Sequence, residues 1–126
     1  MNIQPINISK LEHHELQSSR TGEKYSLSAD LSTPLGLKNM FVHHEIIPPG
    51  RRSSAPHAHS HREEMIVVLE GVVTAHTQSQ EKVLVVGDSI AFHPGQENIH
   101  FVRNHGDSPA RVLIIATSQP QDEVSY

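Results

Sequence analysis

Short runs of apolar residues, separated by turn-forming residues, follow one another along most of the chain. None of these runs shows a helical period beyond a single turn, and several alternate between apolar and polar positions, as a strand does. Gly and Pro recur between them, for example at Pro48-Pro49-Gly50, Gly71 and Gly87, where they end strands or turn the chain. The pattern predicts an all-β fold, either a barrel or a double-sheet sandwich. The predicted strands are residues 24–28, 37–47, 64–69, 72–77, 83–86, 89–92, 100–103 and 111–116.

The longest predicted strand, residues 37–47, has two faces of different character. One face is the more apolar, and we therefore predict that it points inward. On that face a histidine, His44, is expected either to line a pocket or to be a satisfied core residue. The inward set is Met40, Val42, His44 and Ile46, and the outward set is Phe41, His43, Glu45 and Ile47.

The length of 126 residues fits one domain with a core of its own. Residues 1–22 are polar and mixed, and we expect a loosely ordered lead-in with a first edge strand near residues 3–8. The barrel domain is expected to occupy residues 23–118. The polar tail, residues 119–126, is expected to fray.

Composition narrows the classes of function. The formal net charge is −4 without a basic stripe, so we expect no nucleic-acid partner. No apolar run approaches the roughly 18 residues that span a bilayer, and the polar start of the chain lacks the apolar segment of a signal peptide. We therefore expect a soluble cytoplasmic protein without membrane association. The chain has no Cys and 11 His, so any metal must be held by histidine, carboxylate and water.

The densest chemistry lies between the turn at Gly50 and the apolar run that begins at Met65. His57 and His59 are two residues apart, so on an extended strand both imidazoles leave the same face. If Glu64 begins the next strand, its carboxylate can return to that face. Two imidazoles and a carboxylate at one point suit a transition metal; a surface loop rich in histidine is the plainer alternative.

Two sets of spaced residues carry a family resemblance. The first contains Gly50, His57-Ala58-His59, Glu64 after four further residues, and Gly71 after six more. The second contains Gly87, Pro94-Gly95, His100, and Asn104 after three further residues. Residues 48–116 thereby resemble the cupin superfamily of small β-barrels. Relative to that pattern, Gly50 to His57 is one residue longer, Gly87 to His100 is two residues longer, and Pro94-Gly95 lacks an intervening residue.

The resemblance implies a single cupin-type jelly-roll barrel, also called a double-stranded β-helix, with a metal inside. The implied metal ligands are His57, His59, Glu64 and His100. Glu63 is expected to be solvated instead, because alternation puts it opposite Glu64. The implied cofactor is a divalent transition metal ion, since Fe, Mn, Ni, Co, Cu and Zn all accept these ligands. The expected pocket lining is His44, Ile66, Phe92 and Val102.

Two functions follow from the resemblance. In the first, the chain is a small metal-dependent enzyme, dioxygenase-like or isomerase-like, acting on a small molecule. No second carboxylate is evident in a general-acid position, which lowers the weight of a purely acid–base isomerase. In the second, the barrel binds a metabolite or sugar without catalysis, and the metal is structural or anchors the ligand.

An outward apolar face on residues 65–69 predicts a homodimer.

Overall fold

The structure is a computed structural model that describes residues 1–126 and contains eleven strands and one 3-10 turn. Every pairing between strands is antiparallel. The all-β prediction is therefore confirmed. The elements are the 3-10 turn Ile8–Lys10, β1 His14–Gln17, β2 Lys24–Asp30, β3 Met40–Ile47, β4 Ala58–His59, β5 Glu64–Glu70, β6 Val73–Thr77, β7 Glu81–Leu84, β8 Ser89–Phe92, β9 His100–Arg103, β10 Ala110–Thr117 and β11 Val124–Ser125.

The strands form two main layers. Six strands make one sheet in the order β1-β2-β3-β10-β5-β8, and three make another in the order β7-β6-β9. The second sheet is extended by isolated bridges that pair Arg52 with Arg103 and His57 with His100. A third, two-stranded unit joins β11 to β4. From β5 to β10 the chain crosses between the two layers four times, as it does in a jelly roll.

Apolar residues from both layers meet at one end of the barrel. They are contributed by seven strands, and short Val and Ala side chains dominate because the inner faces approach closely. The core residues are Ile47, Ile66, Val68, Val73, Ala75, Leu84, Phe92, Val102, Ala110 and Val112. The core adjoins an open cavity, since Ile66, Phe92 and Val102 belong to the core and also line that cavity beside polar side chains.

The predicted inward face of β3 is wrong. Ile47 is fully buried in the core, and Glu45 lines the cavity, whereas Met40 is 43% exposed on the opposite face. His44 is buried outside the barrel, where His13 covers it. The cause is that the interior holds a polar cavity beside an apolar core, so mean apolarity does not reveal which face of a strand is inside.

The two termini also differ from expectation. The edge strand of the large sheet is His14–Gln17, paired with β2, rather than residues 3–8. The tail does not fray, since Val124 and Ser125 pair with His59 and Ala58 of β4. No helix in the structure has the length and apolar character needed to cross a membrane.

Candidate metal centre

Three imidazoles and one carboxylate converge in the barrel. One ligand atom from each of His57, His59, Glu64 and His100 lies within 4.8 Å of the others. His59 lies in β4, Glu64 begins β5, and His100 begins β9. The backbones of His57 and His100 exchange two hydrogen bonds, of 3.2 and 2.9 Å, which bring the two distant motifs into contact.

The three imidazoles are oriented by hydrogen bonds at Nδ1. In His57 that atom lies 2.9 Å from the carbonyl oxygen of Ala55, and in His100 it lies 2.8 Å from the carbonyl oxygen of Asn98. Both are donor positions, because a carbonyl oxygen only accepts. Nε2 is then the unprotonated nitrogen and points toward the cluster, as in metal-binding histidines.

His59 is oriented by a residue that the sequence did not indicate. Its Nδ1 lies 2.8 Å from Oδ2 of Asp122, and both side chains are 6% exposed. Burial raises the pKa of Asp122, but hydrogen bonds from the backbone of His61, the ring of His59 and the backbone of Arg62 lower it to about 2. Nothing in the polar tail distinguishes Asp122, because its role depends on the pairing of β11 with β4.

Burial sets the protonation of the cluster. It lowers the pKa of His57 and lowers that of His100 to about 4, so these imidazoles are neutral at pH 7. Burial also raises the pKa of Glu64, whose carboxylate oxygens lie 3.6 Å from Nε2 of His59 and 3.9 Å from Nε2 of His100. Nε2 of His100 is buried without a hydrogen-bond partner.

These features fit a metal ion. Bonds of about 2.0–2.2 Å to nitrogen and oxygen place neighbouring ligand atoms roughly 3–4 Å apart, close to the separations at Glu64. A metal would also satisfy the orphaned nitrogen of His100, which otherwise costs free energy. The phenyl ring of Phe92 stacks on that imidazole at 3.9 Å between centroids and fixes its plane.

The cluster opens into a cavity of about 1080 Å³. Three of the four residues expected to line the pocket, Ile66, Phe92 and Val102, do line this cavity. His44 does not; its Nδ1 lies 2.7 Å from Nε2 of His13. The expectation for His44 fails because β3 presents its other face to the interior.

That other face brings Glu45 into the cavity wall. The side chain is 6% exposed, and Oε1 accepts a hydrogen bond of 2.5 Å from Oγ of Ser26. Burial raises the pKa of Glu45 to about 7, despite hydrogen bonds from Ser26 and Ser28 that lower it. The cavity wall therefore includes the carboxyl group of Glu45, on the face of β3 predicted to point outward, besides those of Glu64 and of Glu23, which pairs with Arg52.

The other charged residues of the segment divide between solvent and the cavity. Glu63 is exposed while Glu64 faces the cluster, and His61 is also exposed. Arg62 lines the cavity, with its guanidinium carbon 4.4 Å from the ring centroid of Phe41.

Comparisons with known proteins agree with this architecture. A family model described as the cupin domain matches residues 43–116, and the chain belongs to that family. Germin-like protein 5-1 from Oryza sativa subsp. japonica is 35% identical over 69 residues, which cover 51% of this chain and 30% of that relative. The chain thus spans less than a third of that protein.

Two solved structures extend the likeness across the whole chain. A sugar phosphate isomerase of the cupin superfamily from Silicibacter pomeroyi has a TM-score of 0.85 at 26% identity, over 98% of this chain and 81% of its own. A polyketide cyclase from Streptomyces resistomycificus has a TM-score of 0.78 at 19% identity, over 99% of this chain and 87% of its own. The second likeness concerns the fold alone.

Proposed function

We propose that His57, His59, Glu64 and His100 hold a divalent transition metal ion, and that the protein is a metal-dependent enzyme acting on a small oxygen-bearing molecule. The observation that carries this proposal is the buried Nε2 of His100, which has no hydrogen-bond partner and belongs to the four-residue cluster. A buried ring nitrogen without a partner is costly, and a metal ion would remove that cost.

The four protein ligands leave coordination positions of an octahedral metal ion open. Three imidazoles and one carboxylate suit Fe, Mn, Ni, Co, Cu or Zn. Such an ion supplies Lewis acidity and a template for an oxygen ligand. The chain's residues orient the imidazoles through Nδ1.

Among metal-dependent reactions, isomerisation is favoured over dioxygenation. Glu45 supplies a cavity carboxyl with a pKa of about 7, and a group of that pKa can both hold and release a proton near neutral pH. The sequence showed no second carboxylate in a general-acid position, which disfavoured an acid–base isomerase. Glu45 is such a carboxyl group. The 26% identity to a sugar phosphate isomerase supports the same choice.

Metal analysis tests the centre. Protein purified without an affinity tag and loaded with one metal at a time is expected to retain about one ion per chain by mass spectrometry of the metal. His100→Ala and Glu64→Gln should lose most of it. Their matched controls, His61→Ala and Glu63→Gln, remove exposed groups from the same segment and should retain it. An absence of metal above background in the wild type contradicts the proposal.

Turnover tests the reaction. The metal-loaded protein is incubated in D₂O with aldose and ketose phosphates, and deuterium incorporation at carbon is followed by proton NMR. Glu45→Gln should lower incorporation while metal content stays unchanged. Oxygen uptake with catechols and small diketones tests dioxygenation in parallel. Metal binding with neither activity would favour the non-catalytic alternative.

We also propose that the protein forms a homodimer through the outer face of the large sheet. Met40 and Met65 are 43% and 36% exposed there, on strands β3 and β5 that flank β10. Light scattering should give twice the chain mass, and Met65→Glu should shift it to the mass of one chain.

A further inference from the structure

The guanidinium of Arg62 is held in the cavity wall without a hydrogen-bonding partner. Its Nε is buried and unsatisfied, and its nearest carboxylate oxygen, Oδ2 of Asp122, is 4.0 Å from that atom. That oxygen is already engaged with Nδ1 of His59 at 2.8 Å. The group is instead positioned over the ring of Phe41, a cation–π contact that fixes its plane without using its donors.

The other arginines differ from Arg62 in one of two ways. Four of them donate side-chain hydrogen bonds: Arg51 to Glu15, Arg52 to Glu23, Arg103 to Gly50 and Arg111 to His44. Arg20 also lines the cavity but lies exposed in the turn between β1 and β2, where water satisfies its donors. Arg62 alone combines a buried donor with a place in the cavity wall.

The Nη groups of Arg62 donate no hydrogen bond within the chain, and a cavity ligand that accepts from them would give this charged group the partner it lacks. A guanidinium presents its N–H groups in a planar fork that matches the oxygens of a carboxylate or a phosphate. The stacking on Phe41 holds the fork in place before a ligand arrives.

We propose that Arg62 is the anion-binding residue of the cavity, and that the substrate carries a carboxylate or phosphate group which binds Arg62 while another of its oxygens reaches the His57–His59–Glu64–His100 cluster. The contact between the ligand and the four-residue cluster rests on the proposed metal centre, whereas the contact between the anion and Arg62 does not. It narrows the substrate class from small oxygen-bearing molecules to small anions.

Binding of inorganic phosphate and of acetate, with glycerol as the neutral comparator, tests the proposal by calorimetry at fixed ionic strength. The wild type should bind both anions more tightly than glycerol. Arg62→Gln should weaken anion binding about tenfold or more, as expected for loss of a charge-assisted hydrogen bond, and Arg62→Lys should fall between. Arg20→Gln, which removes the same charge from an exposed part of the cavity, should leave it nearly unchanged.

Measurement on both metal-free and metal-loaded protein separates this proposal from that of the metal centre. If no metal loads but phosphate binds in a manner that depends on Arg62, the anion site stands and the metal centre fails. If metal loads and Arg62→Gln binds phosphate as tightly as the wild type, the anion site is overturned. Equal weakening by Arg20→Gln would overturn it too, since the effect would then be one of net charge.

Chemical modification of the wild type gives a second measurement that requires no folded variant. Phenylglyoxal reacts with arginine side chains, and the modified peptides are quantified by mass spectrometry. Phosphate should slow modification of Arg62 and leave that of Arg20 unchanged. Equal rates at Arg62 with and without phosphate at saturating concentration would count against the proposal.

Discussion

Oδ2 of Asp122 lies 2.8 Å from Nδ1 of His59, although 63 positions of sequence separate the two residues. The other oxygen, Oδ1, accepts the backbone N–H groups of His61 at 2.8 Å and of Arg62 at 3.0 Å. One carboxylate thus orients an imidazole of the cluster and fixes the bend that leads into β5. The C-terminal segment is therefore part of the site.

Asp122→Asn should weaken metal binding about 10–100-fold, the usual cost of losing a carboxylate that orients a metal-binding histidine. An amide cannot accept from both backbone N–H groups and the ring while leaving its own NH₂ satisfied. Competition with a chromogenic chelator measures the affinity. Glu123→Gln, an exposed neighbour, is the control, and equal affinities for the two variants would show that Asp122 does not support the centre.

The sequence predicted those parts of the fold that depend on local order. Strands bounded by Gly and Pro were located within a few residues. Alternation along a strand put His57 and His59 on one face and Glu63 opposite Glu64, and in the structure Glu63 is exposed while the other three lie in the cluster. Their convergence with His100 depends on closure of the barrel, which local strand geometry does not predict. His100 was predicted from the spacing of the family motifs instead.

The failures that bear on the site concern contacts between distant segments. The inward face of β3 was inverted because the hydrophobic pattern does not distinguish an apolar core from a polar cavity, and Glu45 was missed for the same reason. Asp122 was missed because a short polar tail has no periodicity, so its pairing with β4 leaves no mark in the sequence. Glu45 and Asp122 both belong to the site. Functional sites are where proteins bury polar groups, contrary to the general rule that buried residues are apolar.

Asn104, which ends the second motif, should prove structural rather than chemical. Its side-chain NH₂ donates to the carbonyl oxygens of Ile47 and Ser108, each at 2.8 Å, and its Oδ1 accepts the backbone N–H of Gly106. Asn104→Ala leaves those buried groups unpaired, so the free energy of unfolding should fall by about 1–3 kcal/mol. Urea denaturation measures this loss, and metal content per folded chain should not change; a loss of metal at unchanged stability would contradict the assignment.

Gly50 and Gly71 distinguish two ways in which a side chain at a turn destabilises the fold, namely backbone strain and steric contact. Their φ angles are 80° and 79°, so alanine is strained at both, by about 1 kcal/mol. At Gly71 a Cβ would also lie 3.0 Å from Cα of Ala110, whereas nothing lies within 4 Å of one at Gly50. Gly71→Ala should therefore destabilise the fold by clearly more than Gly50→Ala in thermal or urea unfolding. Equal losses would mean that the turn at Gly71 moves away from β10 freely.

Glu45 should make stability depend on pH in a defined direction. Burial raises its pKa from 4.5 to about 7 in the folded chain. The protonated form is thus favoured by folding, so its stabilisation is complete below about pH 4.5 and is lost as the pH rises through 7. Glu45→Gln keeps an acceptor for Ser26 and cannot ionise. Without metal, the variant should match the wild type near pH 4.5.

As the pH rises to 8, the same variant should become more stable than the wild type by about 1–3 kcal/mol, the order expected for a shift of this size. Urea unfolding at several pH values with a chelator present measures the difference, and subtraction of the two curves cancels the groups common to both proteins. Glu63→Gln, which removes an exposed carboxylate, should run parallel to the wild type. A stability difference between Glu45→Gln and wild type that stays constant from pH 4.5 to 8 would show that the Glu45 carboxyl does not titrate in the cavity. Isomerisation would then lose the proton-carrying group that favours it over dioxygenation.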